Sequence, residues 1–418
     1  MGKVLDAAER LWTGESELAE EPWLTFLGLE AITDDTAFVS SFANVVSFAT
    51  SEGAVVVDTG SPLTGVASAA AVREWLRERG HVDRVSTIVL THGHIDHVMG
   101  TAAFEADGRA RVIGHRALPE RFDRYRLTRG YNARINVRQF RLPGLEWPSD
   151  YRYPDLTYER ALALTVGGTR FELFHDRGET DDHTWVWVPE RRALCTGDLF
   201  IWASPNCGNP QKVQRYPREW SVALRKMAAL DAEVLYPGHG LPIVGADRVR
   251  RALEETAELL ETLVDQTLRW MNEGAPLDVV VQRVEVPEHL LARPYLRPVY
   301  DEPEFVIRNL WRLYGGWWDG DPSELKPAPK AALARELADL CGGASRLCDR
   351  ARELSELGEH RLACHLVELA ARVEPDDEGI RAERAAIYEA RAKDETSLMA
   401  KSAFRAAAKE PPGRGFDE

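Results

Sequence analysis

The sequence predicts an α/β domain, residues 1–245, followed by an all-α helical domain, residues 246–418, on three observations. Residues 38–242 alternate short β-branched runs and polar loops with helical patterns. After Gly245 the composition turns to long amphipathic stretches rich in Ala, Leu, Glu and Arg. A chain of 418 residues also exceeds what one hydrophobic core usually serves.

In the first domain, Asn44-Val45-Val46-Ser47-Phe48, Ala54-Val55-Val56-Val57-Asp58, residues 85–90, Thr184-Trp185-Val186-Trp187-Val188 and residues 192–197 read as strands. Residues 65–79 and 217–230 carry helical patterns between them. The second domain opens with a helical periodicity over 248–273. A Pro-rich joint at 320–329 separates it from a further helical set ending near residue 408, in which Gly358 and Pro375 mark helix starts. Helical hairpins of this kind are similar to tetratricopeptide units and usually make partner surfaces. Residues 411–415, rich in Pro and Gly, read as a loose tail.

A formal charge of −15 argues against a nucleic-acid partner. The five cysteines, Cys195, Cys207, Cys341, Cys348 and Cys364, are odd in number and widely spaced, which fits a reducing compartment. The charged start has no signal-peptide core and no segment is long enough to span a bilayer, so a soluble cytoplasmic protein is expected.

The chemistry concentrates in Thr91-His92-Gly93-His94-Ile95-Asp96-His97, directly after the apolar run 85–90. A strand leading into a loop projects neighbouring side chains in different directions, so His92, His94, Asp96 and His97 point to two adjacent ions. Imidazole suits zinc best, then iron or manganese, and a carboxylate serves a second, harder position. About three ligands per ion are needed. His183, Asp198 and His239, each beside a strand, are the candidates that follow in order.

This ordered set resembles the metallo-β-lactamase superfamily over residues 38–244. The resemblance implies an αββα sandwich in which His92, His94 and His183 hold one ion, Asp96, His97 and His239 the other, and Asp198 bridges. It also implies that Asp58 props the histidine loop, where the residues alone equally allow a turn cap. His175, eight residues before His183, is set aside because His183 abuts the strand. Two zinc ions would make a bridging hydroxide available near neutral pH, with Asp96 or Asp198 accepting a proton, and no serine nucleophile is required.

Residues 109–141 hold ten arginines against Glu120 and Asp123, a basic insert suited to an anionic substrate. Within it Arg129, Tyr131, Asn132, Arg134, Asn136 and Arg138 are the candidate substrate contacts. Residues 265–269, 286–290, 313–322 and 341–344 are similar to the dimerisation domain of the alkyl sulfatases. That resemblance implies a homodimer hydrolysing small anionic esters, sulfate esters above all. The chain departs from the family in three places. His183 and Asp198 stand where those sulfatases commonly carry glutamates, the sterol-carrier-like domain is expected to be missing, and the Arg-Gly sulfate stretch is replaced by residues 206–215. Hydrolysis of carboxylic esters, thioesters or lactones, persulfide oxidation on iron, and a non-catalytic metal-stabilised interaction protein are the competing readings.

Overall fold

A computed structural model of the chain describes residues 2–15 and 21–410, so the tail at 411–415 lies outside the described residues. The chain forms two compact units. The first takes residues up to 132 and 146–316, and the second takes 133–145 and the chain from 317.

Two mixed sheets build the first unit. One has seven strands in sequential order: β1 (Gly28–Thr33), β2 (Thr36–Ser40), β3 (Val45–Phe48), β4 (Ala54–Val57), β5 (Val85–Val89), β6 (Arg111–His115) and β7 (Leu156–Tyr158). Pairing is antiparallel from β1 to β4 and parallel from β4 to β7. The other sheet contains β8 (Ala161–Val166), β9 (Thr169–His175), β10 (Thr184–Val188), β11 (Ala193–Ile201), β12 (Val234–His239) and β13 (Ile243–Val244), in order from one edge to the other.

The sheets meet face to face. Phe48 of β3 lies edge-on to Phe171 of β9 at 5.7 Å, and Phe38 of β2 stacks on Tyr236 of β12 at 5.9 Å. Helices cover the outer faces, which explains why β2, β3, β4, β10 and β11 are buried along their whole length and read as near-continuous apolar runs. Helix Gly65–Glu78 buries Trp75 and Leu76. Helix Pro217–Ala228 buries Trp220, whose Nε1 donates to the Leu199 carbonyl of β11 at 2.8 Å. This is the α/β sandwich that the sequence pattern leads one to expect.

The compact unit runs past the composition change at residue 245. Helix Ala246–Asn272 turns an apolar stripe, including Leu253, Ala257, Leu260 and Val264, toward helix Pro217–Ala228, and Arg225 pairs with Glu261 at 2.6 Å. The shift at 245 therefore marks a change of secondary-structure type and not the edge of a core. The arginine-rich insert folds as β6 and the helices Leu118–Leu127 and Arg129–Phe140.

The second unit pairs the helices Lys330–Cys341, Ala344–Glu356, His360–Val373, Glu378–Asp394 and Leu398–Lys409. Two apolar clusters hold them, one around Leu347, Ala370 and Ile380 and one around Ala351, Val367 and Ile387. The Pro375-Asp376-Asp377 signal acts through Asp377, whose carboxylate accepts from Ile380 N at 2.7 Å and caps its helix.

Candidate metal centre

The centre lies at one end of the sandwich, where loops following the strands meet. β5 ends at Val89, and the chain continues through buried Leu90 and Thr91 into the one-turn helix Ile95–Val98. Because β4 and β5 run parallel, Asp58 at the end of β4 comes beside this loop, with its N donating to Val89 O at 2.9 Å. Its φ of 59° is left-handed, a conformation that Asp tolerates better than most residues. The Asp58 carboxylate accepts from Thr91 N at 2.8 Å, from Thr91 Oγ1 at 2.7 Å and from His97 Nδ1 at 2.7 Å. Asp58 thus orients the histidine loop and does more than close a turn. Thr91 Oγ1 accepts from His92 Nδ1 at 3.0 Å, which leaves His92 Nε2 to face the centre.

On the other sheet, β11 carries Asp198 and the end of β12 carries His239. A Cβ on Gly238 would fall 2.0 Å from Asp198 Oδ1, so only glycine lets β12 approach that carboxylate. Asn44, in the turn between β2 and β3, donates through Nδ2 to Pro237 O at 3.0 Å and to Gly240 O at 2.9 Å. It clamps the His239 segment onto the first sheet, and His239 Nδ1 donates to Phe42 O.

The donor atoms fall into two groups, His92, His94, Glu179 and Asp198 in one, and Asp96, His97 and His239 in the other. Asp198 faces both: Oδ1 is 3.2 Å from His97 Nε2, and Oδ2 is 3.4 Å from His239 Nε2 and 3.8 Å from His92 Nε2. Asp96 Oδ2 stands 3.4 Å from His239 Nε2 and 3.8 Å from His97 Nε2.

Glu179 takes the position expected for His183. Its Oε2 is 3.5 Å from His94 Nδ1 and 3.6 Å from His92 Nε2, while Oε1 is held by Asn206 Nδ2 and by Arg215 Nη1, the latter at 2.6 Å. His183 joins neither group. Thr184 N donates to Thr91 O at 2.6 Å and draws the start of β10 under the histidine loop. There the His183 ring stacks on His92 at 4.7 Å, and its Nε2 donates to Thr196 O at 3.1 Å. A glutamate four residues upstream was the available signal, since alkyl sulfatases commonly carry one at this place. His175 is also apart, stacked on His115 at 3.6 Å with Nδ1 donating to His183 O.

Three buried donor atoms, His97 Nε2, Glu179 Oε2 and Asp198 Oδ1, make no hydrogen bond, although buried polar atoms nearly always do. All three belong to the two groups, so cations held there would satisfy them, and the residues fit a metal site. The proton distribution agrees. Burial opposes charge on His239, yet Asp198 and Asp96 raise its pKa to about 10, and His97 is raised by Asp198 and Asp58 against the same burial. Burial pushes Glu179 up to about 8 despite Arg215, and holds His92 and His94 well below the usual imidazole range.

Two groups near the centre escape a sequence reading. Lys212, brought to about 8 by burial, feels the charges of Arg215, Asp96 and Glu179 and lies 5.6 Å from the Trp147 ring. Tyr300 is held well above the phenol range by burial and by the carboxylates of Glu179, Asp96 and Asp198. The six candidate substrate residues are divided between the units. Arg129, Tyr131 and Asn132 belong to the first, where the Tyr131 hydroxyl donates to Gln211 O at 3.4 Å and Asn132 Nδ2 to Thr128 Oγ1 at 2.7 Å. Arg134, Asn136 and Arg138 belong to the second, where Arg138 pairs with Glu410 at 3.7 Å.

Two family profiles match the chain: the metallo-beta-lactamase superfamily over residues 38–239 and alkyl sulfatase dimerisation over residues 277–412. Residues 38–239 thus form a metallo-beta-lactamase domain. The curated relatives include a linear primary-alkylsulfatase from Pseudomonas sp., 28% identical over 353 residues that cover 78% of this chain and 66% of the relative. An (R)-specific secondary-alkylsulfatase from Pseudomonas sp. is 24% identical over 371 residues, covering 81% of this chain and 55% of the relative. The chain therefore spans between about half and two thirds of the length of these relatives. Among solved structures, the stereoselective inverting sec-alkylsulfatase from Pseudomonas sp. superposes with a TM-score of 0.81 at 23% identity, covering 91% of this chain and 65% of that one. That likeness establishes the fold. Among the described residues, no helix is long and apolar enough to cross a membrane.

Proposed function

We propose that this chain is a binuclear zinc hydrolase of sulfate esters that works as a homodimer. The observation that carries the reading is the convergence of seven donors, with Glu179 completing the group of His92, His94 and Asp198 opposite Asp96, His97 and His239. Asp198 would be shared between the two ions. A structural zinc site uses one closed set of four protein ligands, whereas seven donors spread over two neighbouring positions suit a pair of ions. Zinc fits the imidazole-rich set best, and iron or manganese would be accepted by the same donors.

When bound, the ions supply Lewis acidity that activates water and polarises the ester. The side chains divide the remaining work. Asp96 and Asp198 can take the proton released when water attacks. Tyr300 keeps its proton, because burial and the nearby carboxylates oppose ionisation, and its neutral hydroxyl can offer a hydrogen bond to an ester oxygen. Lys212, within electrostatic reach of both groups, is suited to the anionic end of the substrate, and Tyr131 touches the same segment through Gln211. Arg129 and Asn132 stay with this set as substrate candidates. The relatives named as alkylsulfatases and the dimerisation profile support sulfate esters over other esters and support the dimer.

The test is sulfate release from short alkyl and aryl sulfates by the zinc-loaded protein. Silence across that panel, with turnover of a carboxylic ester, thioester or lactone, would reassign the substrate.

A further inference from the structure

Between His92 and His94 stands Gly93, whose amide donates to Asp182 Oδ2 at 2.9 Å. Asp182 lies three residues after Glu179, on the segment between β9 and β10. This single hydrogen bond therefore ties together the two loops that carry His92, His94 and Glu179. The other Asp182 oxygen, Oδ1, lies 2.8 Å from Arg121 Nε, and both side chains are almost wholly buried, at 2% and 0% exposure. Arg121 also pairs with Asp181. A Cβ on residue 93 would fall 2.5 Å from Arg121 Cδ, so the arginine stem lies against the glycine of the histidine motif.

A buried ion pair is weak evidence for stability, because desolvation offsets most of its attraction. Here the pair stands one residue from two donors of the centre, and one member comes from helix Leu118–Leu127 of the arginine-rich insert. We infer that Asp182 and Arg121 are positioning residues that brace Gly93, fix His92 and His94 relative to Glu179, and so govern the ion held by that group but not the one held by Asp96, His97 and His239. The second group is braced by Asp58 at His97 and tethered by Asn44; Asp58 also reaches His92 through Thr91, but neither it nor Asn44 is hydrogen-bonded to Asp182. The first brace is thus local to one half of the centre. It also gives the insert a role besides meeting substrate: Arg121 serves the metal loop.

The inference rests on the binuclear reading, and zinc affinity measured by competition with a chromophoric chelator separates the two ideas. In a His239→Ala background the remaining ion reports the group of His92, His94 and Glu179, and in a Glu179→Ala background it reports the other. Asp182→Ala is expected to weaken zinc at least tenfold in the first background, within the range typical of residues that support ligands, and to change it less than twofold in the second. Arg121→Lys, which keeps a charge beside Asp182, should recover part of the loss seen with Arg121→Leu. If Asp182→Ala fails to fold, the isosteric Asp182→Asn takes its place. Equal weakening in both backgrounds, or none in either, would overturn the brace. Failure of either background protein to bind one zinc would instead overturn the binuclear reading.

Discussion

Arg215 Nη1 lies 2.6 Å from Glu179 Oε1, and because Asn206 reaches the same oxygen, Glu179 has only Oε2 left for the centre. That oxygen is buried without a hydrogen bond and faces His92 and His94. A glutamine at 179 would keep the shape and lose the anionic donor. Glu179→Gln is expected to retain one zinc per chain in place of two and to lower sulfate release at least about a hundredfold, as atomic absorption and a turnover assay would record. His183→Ala, by contrast, should keep both ions and cost about 1–3 kcal/mol of stability, because it removes a buried ring and leaves the Thr196 carbonyl without its donor. Loss of an ion in the histidine variant would return His183 to the ligand set.

Asp58→Asn removes the anion that receives His97 Nδ1 and both Thr91 donors. Zinc affinity should fall about 10–100-fold, with kcat/KM falling alongside and recovering when zinc is in excess. Chelator competition is the measurement, and undiminished affinity would reduce Asp58 to a turn residue.

Acid and base should act in opposite directions on the metal and on the metal-free fold. Burial opposes charge on His239, but Asp198 and Asp96 raise its pKa from 6.5 to about 10. Below pH 10 an incoming ion must displace that proton, so zinc affinity should rise with pH, by about tenfold per unit for each proton displaced. A folded-state pKa above the unfolded value stabilises the metal-free fold fully below pH 6.5, and this contribution is lost as pH climbs through about 10. Zinc titrations at pH 6, 7 and 8, set beside urea unfolding of the stripped protein at pH 6.5 to 10, would display both slopes; a flat zinc affinity would contradict the proton balance.

Lys212→Met should raise KM for a sulfate ester about 10–100-fold while both zinc ions stay bound, because a charge-assisted contact contributes about 1.5–3 kcal/mol. Burial brings the ammonium to about 8, so in the wild-type protein KM should also climb above that pH, and the variant should lack that climb. A variant that loses kcat with KM unchanged would remove Lys212 from substrate binding.

Light scattering should give twice the chain's 46.9 kDa. In the second unit Leu340 and Leu357 are 84% and 72% exposed, apolar surface that a second copy of the chain could cover. Leu340→Glu with Leu357→Glu should shift the mass to that of one chain without disturbing zinc content. A monomeric wild-type protein would end the dimer proposal.

Most of the fold is legible because its signals are local. β-branched runs such as residues 184–188 are buried on both faces, and the Asp377 cap acts within its own turn. The histidine cluster is legible for the same reason, with four donors in six consecutive residues. The third donor of the first group is not. The likeness to alkyl sulfatases offers a glutamate there, but choosing between Glu179 and His183 depends on Thr184 N reaching Thr91 O, a contact between segments far apart in sequence. The extent of the first unit is obscured for a related reason, since amphipathic periodicity over 246–272 announces a helix but not the surface it covers. Lys212 and Tyr300 come near the carboxylates through long-range folding, and lone polar residues in loops carry no such signal.

The Asn44 clamp bears on the order in which the centre can be assembled. Asn44 emerges early in synthesis, whereas the Pro237 and Gly240 carbonyls it binds emerge nearly two hundred residues later. Closing so distant a contact is slow compared with local helix and hairpin formation. A nascent chain would hold its histidine cluster ready long before the opposite side of the centre exists, and zinc captured at that stage would meet an incomplete set of donors. Refolding in the presence of zinc should therefore proceed more slowly than refolding followed by zinc, with the metal acting as a trap until the last strand of the clamp arrives.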